Sequence, residues 1–187
     1  MNVLILNELF DGGKEIIAFH GTRSIFPFER FDAKMIGSGL VSNSGSKYEG
    51  FFFTSSQNNA EFYSEYFVAK VRISEVKPAP KNIRIPKEVL KIAKANKSNY
   101  LIEDILDGGF YSDIITVPSN NLDTVKIIEW YFIGDEEMLY EQYDILFEGE
   151  DEEINRDMIL DRLEDIGCNF DYLLNIPLFK KYYYSKS

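Results

Sequence analysis

The sequence predicts an α+β fold with a helical C-terminal extension. Three observations carry this expectation. Short apolar or alternating runs bounded by Gly and Pro occupy residues 15–133, the mark of strands. Acidic segments with apolar residues at helical spacing follow from about residue 136 to 166. The chain has 187 residues, 45% of them hydrophobic, enough for one packed core with an appendage. Strands first and helices afterwards, rather than the two alternating, is the α+β order.

The elements follow in turn. Glu15 to His20 (EIIAFH) reads as a strand closed by Gly21. Residues 21–49 read as a long Gly- and Ser-rich loop, of a length that is often functional. Gly50 to Thr54 (GFFFT) is a short apolar strand. Ser56 or Asn58 can cap a helix running to about Tyr66, with Ala60, Tyr63 and Phe67 at helical spacing. Phe67 to Ser74 alternates as a strand with one wet face. Pro86 opens a helix to about Ala95, whose Lys87, Lys91 and Lys94 form a solvated stripe. Asn99 to Leu106 reads as a second short helix stopped by Gly108-Gly109, and Asp113 to Val117 as a strand. Pro118 to Asp123 is a loop, and Val125 to Ile133 an apolar strand carrying Lys126 and Glu129. Acidic helices over 136–147 and 152–166 follow, the second ending at Gly167 as C-cap.

The net charge of −11 is unevenly placed. Residues 1–134 hold 15 basic and 16 acidic side chains; residues 135–166 hold 2 and 14; residues 167–187 hold 3 and 1. A near-neutral body therefore carries an acidic segment of net −12 and a short aromatic tail. The acidic run reads either as a solvated helix face or as a surface for a basic partner. Such acidity opposes direct duplex binding and anionic membranes. With one cysteine, Cys168, there is neither an intrachain disulfide nor a multi-Cys zinc site to expect. With His20 as the single histidine, no His-His metal pair is available. No targeting segment and no span of roughly 20 apolar residues stands out, so the expected compartment is the cytoplasm.

Three features look out of place. His20 ends an apolar strand: it is either a hydrogen-bonded structural residue or a site residue, with Gly21 allowing close backbone approach. Phe51, Phe52 and Phe53 cannot all face one way, so Phe52 opposes the other two. All three are core, or Phe52 is a stacking platform closed by Tyr63. Glu129 is a charge within an apolar strand, hence either salt-bridged or a carboxylate facing a cleft. If it shares a face with Ile127 and Tyr131, that face is not dry core.

Together these features resemble the ADP-ribosyltransferase superfamily, in its His-Tyr-Glu branch of diphtheria-toxin-like and poly-ADP-ribose-polymerase-like enzymes. His20-Gly21-Thr22 resembles the first motif of that branch. Gly50-Phe51-Phe52-Phe53-Thr54 resembles the second, with Ala60 and Tyr63 behind it, and Val125 to Met138 (VKIIEWYFIGDEEM) the third. The order and spacing agree over residues 15–138. Phe52 stands where relatives carry the stacking tyrosine. Ile127 stands two residues before Glu129, so the Glu-x-Glu of arginine-specific relatives is absent.

The resemblance implies a split β-sandwich of two packed sheets around an NAD cleft, as a catalytic domain over 1–134 with residues 135–187 as an acidic helical extension packed on it. It implies mono-ADP-ribosyl transfer from NAD to a macromolecular acceptor, in a small phage or bacterial effector acting in a host cytoplasm. The acceptor expected is protein rather than nucleic acid, and a basic one would suit the acidic segment. Glu129 would be the catalytic carboxylate; His20 would bond the adenosine ribose; Gly21 and Thr22 would hold the carboxamide; Phe52 and Tyr63 would sandwich nicotinamide. Arg23, Arg30, Ser38 and Asn120 are candidate phosphate or acceptor contacts. NAD serves as substrate, with no metal and no membrane. The alternatives are an NAD glycohydrolase on the same fold, and a non-enzymatic acidic protein that occupies a basic groove of a nucleic-acid-binding partner.

Overall fold

The computed structural model describes residues 13–35, 49–107, 110–148 and 154–186. The Gly/Ser loop 36–46 with Ser38, the Gly108-Gly109 stop and the start of the second acidic segment lie outside the described residues. The fold is α+β. Its strands are β1 (Lys14–Thr22), β2 (Gly50–Thr54), β3 (Phe67–Pro78), β4 (Asn99–Asp107), β5 (Phe110–Pro118) and β6 (Val125–Phe132). Its helices are α1 (Gln57–Phe62), α2 (Pro86–Asn96), α3 (Glu136–Phe147), α4 (Arg156–Asp165), α5 (Phe170–Leu174) and α6 (Pro177–Ser185).

The sheet runs β1-β2-β5-β4-β3-β6, and an added β1–β3 pairing closes the first five strands into a barrel with β6 on its flank. This closure differs from the two separate sheets expected. The pairing is nonetheless uneven. β1, β3 and β6 pair antiparallel over long registers, as do β2, β5 and β4. The two sets join at one register pair, Phe19 with Thr54, and at a short parallel stretch, Val76–Pro78 with Asn99–Leu101.

Residues 99–106, expected as a helix, are strand β4. Tyr100, Leu101 and Ile102 pair with Thr116, Ile115 and Ile114 of β5, and Asp107 faces Phe110. Tertiary pairing outweighed the helical spacing. A bulge between Ile102 and Ile105 puts Asp104 at φ 51, and its N–H donates to the Asp113 carboxylate at 3.2 Å.

Helix ends follow their local chemistry. Ser56 caps α1, Asp135 caps α3, Asn155 caps α4 and Asn169 caps α5, each accepting a backbone N–H at the start of its helix. Pro86 and Pro177 occupy first-turn positions of α2 and α6. Gly167, at φ 71, follows the last turn of α4 as a left-handed stop.

Two apolar cores result. Ala18, Phe51, Phe53, Ala69, Val71, Ile115 and Val117 fill the barrel, with Phe31 inserted from the loop after β1. The second core gathers Leu139, Tyr143, Ile159, Leu163, Phe179 and Tyr182 from the C-terminal helices. It also takes Phe26, Tyr66 and Phe67 from the body. Phe26 stacks on Tyr143 at 5.0 Å, and the Tyr143 phenol donates to the Ile25 carbonyl at 3.0 Å. Trp130 packs against both cores. No helix among the described residues is long and apolar enough to cross a membrane.

Candidate functional site

Alternation along β1 turns Ala18, His20 and Thr22 toward the barrel and Ile17, Phe19 and Gly21 away from it. The His20 ring sits in an aromatic box, 5.1 Å from Phe31, 5.7 Å from Phe51 and 5.3 Å from Phe53 between centroids. Its Nδ1 lies 2.9 Å from the Phe52 carbonyl oxygen. A carbonyl only accepts, so Nδ1 carries the proton and Nε2 keeps a lone pair. Burial holds the His20 pKa below the ordinary histidine value, against the opposing pull of the Phe52 carbonyl. Beyond Phe19 and Thr54 the β1–β2 ladder stops, and the imidazole bridges the two strands there.

The opposite, outer face holds Glu129. Directly paired antiparallel residues share a face, so Thr54, Phe19, Lys70 and Glu129 form one row across four strands. Gly21, Val68 and Tyr131 form the next row. A bulge at Ile128 separates Glu129 from Ile127: the register passes from Lys70–Glu129 to Val71–Ile127. Ile127 therefore packs on the barrel core, and the shared face with Glu129 that alternation suggested is lost. Tyr131 does share the face, and its phenol donates to Glu129 Oε2 at 2.8 Å. Lys70 Nζ stands 3.7 Å from the same oxygen. The Glu129 side chain is 52% exposed and that of Lys70 32%. The Tyr131 hydroxyl, and then Glu129, raise the Lys70 pKa.

Phe52 alternates with the inward Phe51 and Phe53, so it too faces outward, half-buried. Tyr63 ends α1, 45% exposed and edge-on to Phe62 at 5.2 Å. Outward therefore lie Gly21, Phe52 and Glu129, with Tyr63 on the helix that packs on Gly21. His20 lies inward at the seam, and Glu129 is two strands from it, about 10 Å at ordinary strand spacing. The structure does not put these two side chains on one face.

The remaining candidates divide. Gly21 is required by packing: a Cβ there would stand 2.0 Å from the Ala60 carbonyl oxygen. The group that approaches this backbone is thus α1. Thr22 is buried, and its hydroxyl accepts the Ser24 N–H at 3.0 Å. Arg23 and Arg30 are exposed and make no ion pair among the described residues. Asn120 donates to the Lys94 carbonyl at 3.1 Å, securing the end of α2. Asn121, Asn99 and Thr124 form a hydrogen-bonded chain behind it. This loop precedes β6, and its last residue, Thr124, lies five residues, roughly 16 Å of strand, from Glu129.

Two participants escaped the sequence reading: Phe31 walls His20, and Lys70 pairs with Glu129, whereas Tyr131 was named there as sharing the Glu129 face. Lys70 was legible as the polar step of an alternating strand; its register against Glu129 was not. Among the described residues no group of three or more metal-ligating side chains is gathered. The outer row holds an exposed Glu129 carboxylate paired with Lys70, three strand spacings, about 14 Å, from β2, the strand that carries Phe52. No family model, curated protein or solved structure matches this chain.

Proposed function

We propose that the chain is an NAD-dependent ADP-ribosyltransferase acting on a macromolecular acceptor. The observation that supports this reading is the placement of Gly21, Phe52 and Glu129 on one outer face, with Gly21 and Phe52 flanking the point where β1 and β2 part and Glu129 two strands from β1. On this reading the thin seam, one register pair wide, is the split of a β-sandwich, and residues 1–134 form the catalytic unit.

Each residue then has a defined task. The Glu129 carboxylate stabilises the positive charge that develops on the nicotinamide ribose as the C1′–N bond breaks. The Tyr131 phenol fixes its orientation through the 2.8 Å bond. Phe52 and Tyr63 hold the departing nicotinamide by stacking. The backbone of Gly21, where β2 no longer pairs, takes the carboxamide. His20 acts from inside the barrel: its Nδ1–H donates to the Phe52 carbonyl and so positions the strand that carries the Phe52 ring. The acceptor nucleophile attacks C1′ and loses its proton, and nicotinamide leaves neutral.

Incubation with biotin-labelled NAD and a bacterial lysate tests the reading. Transfer leaves label on a macromolecule. Glu129→Gln should cut transfer by roughly 10²-fold or more while NAD affinity stays nearly unchanged. Wild-type turnover in that variant would end the assignment. Release of free ADP-ribose without labelled macromolecule would make water the acceptor.

A further inference from the structure

The helices after residue 134 enclose a feature the proposed chemistry does not use. A groove of about 330 Å³ lies at α3 and α4, floored by Leu146, Phe147 and Met158 and rimmed by Glu148, Asp161 and Asp165. Arg162 stands among them, so this lining is net −2. Elsewhere in the acidic segment, Glu136 pairs with Lys181 and Asp144 with Lys186. Glu148, Asp161 and Asp165 have no ion-pair partner among the described residues. Beside the groove, α3 shows an outer stripe of Met138, Glu141, Ile145 and Glu148, in which Met138 is 55% and Ile145 65% exposed. Apolar and acidic groups thus alternate over one surface.

We propose that this groove docks a basic segment of a protein partner. An aliphatic or aromatic side chain of the partner fills the floor at Leu146, Phe147 and Met158. Lysines or arginines on either side of it meet Glu148, Asp161 and Asp165. Charge selects this occupant. Residues 135–166 carry net −12, which repels nucleic acid and anionic lipid. A second copy, itself net −11, would set like charges together if it used the same face. The proposal stands apart from the NAD reading, because none of these residues belongs to the Glu129 face.

The test is a titration of the full chain with a fluorescent lysine–leucine peptide of helical spacing, read by anisotropy. The expected result is saturable binding that weakens with salt and falls roughly tenfold or more in Asp161→Lys/Asp165→Lys. Both positions are exposed, so that variant should fold, and its thermal melt verifies this. Met158→Asp should act alike through the floor. The same peptide with leucines replaced by serine should bind at least tenfold more weakly. Equal binding by the charge-reversed chain, or by the serine peptide, overturns the proposal. So does sedimentation that shows self-association lost in the same variants, which would give the groove to a second copy. Unaltered NAD turnover in these variants keeps the two proposals separate.

Discussion

The His20 imidazole has exchanged water for three phenyl rings and one carbonyl. Burial lowers its pKa in the folded chain, so the unfolded chain binds the proton first as pH falls. The stability that depends on neutral His20 is complete above the unfolded value of about 6.5 and declines as pH drops below it toward the lower folded value. The urea midpoint of the wild type should therefore fall between about pH 7.5 and pH 5 more steeply than that of His20→Phe. That variant keeps a ring in the box but cannot take a proton. Carboxylates titrate alike in both proteins, so the difference in slope belongs to His20. Parallel slopes would show that the ring is not held neutral. Its neighbours explain why only half of this was legible: Phe51 and Phe53 were readable as inward by alternation, whereas Phe31 reaches the ring from a loop no periodicity describes.

At the scale of elements, β1, β2, β3 and β6 were legible because each is a short apolar or alternating run with its own Gly or Pro boundary. β4 was not. Its residues also suit a helix, and only the pairing of Tyr100 to Ile102 with β5 decides between them. The Gly108-Gly109 pair between two apolar runs was the available hairpin signal. The bulge at Ile128 was equally invisible, since a bulge is a property of two strands, and it alone turns Glu129 from Ile127's face to Tyr131's. The α1–β1 contact makes a separate prediction. Gly21→Ala puts a methyl group 2.0 Å from the Ala60 carbonyl oxygen, which is backbone and must move. An overpacking cost of about 1–3 kcal/mol follows, or roughly 2–4 °C of melting temperature per kcal/mol in a chain of this size. Because Tyr63 follows the last turn of α1, the same shift should, on the proposed function, weaken NAD binding. A variant with unchanged melting temperature would mean that α1 does not rest on Gly21.

At the scale of the whole molecule, the acidic extension separates from the body by charge but not by packing. Composition draws a boundary near residue 134, where a near-neutral stretch meets one of net −12. The apolar core ignores that boundary. Phe26, Tyr66 and Phe67 come from the body and are buried among Tyr143, Phe179 and Tyr182 of the extension. The Tyr143 and Tyr172 phenols reach back to the Ile25 and Phe28 carbonyls at 3.0 and 3.1 Å. Uncovering three aromatic side chains forfeits about 1.5–3 kcal/mol each, together a large share of the 5–15 kcal/mol that holds a domain folded. A chain ending at Gly134 should thus lose its cooperative thermal transition and bind a hydrophobic dye through the exposed face. On the proposed function it should also lose NAD turnover, since Trp130 and Phe132, on the strand that carries Glu129, pack against the second core. A truncated chain that melts cooperatively within a few degrees of the full one would show that the body closes its own core. The extension would then be an appendage in packing as well as in charge.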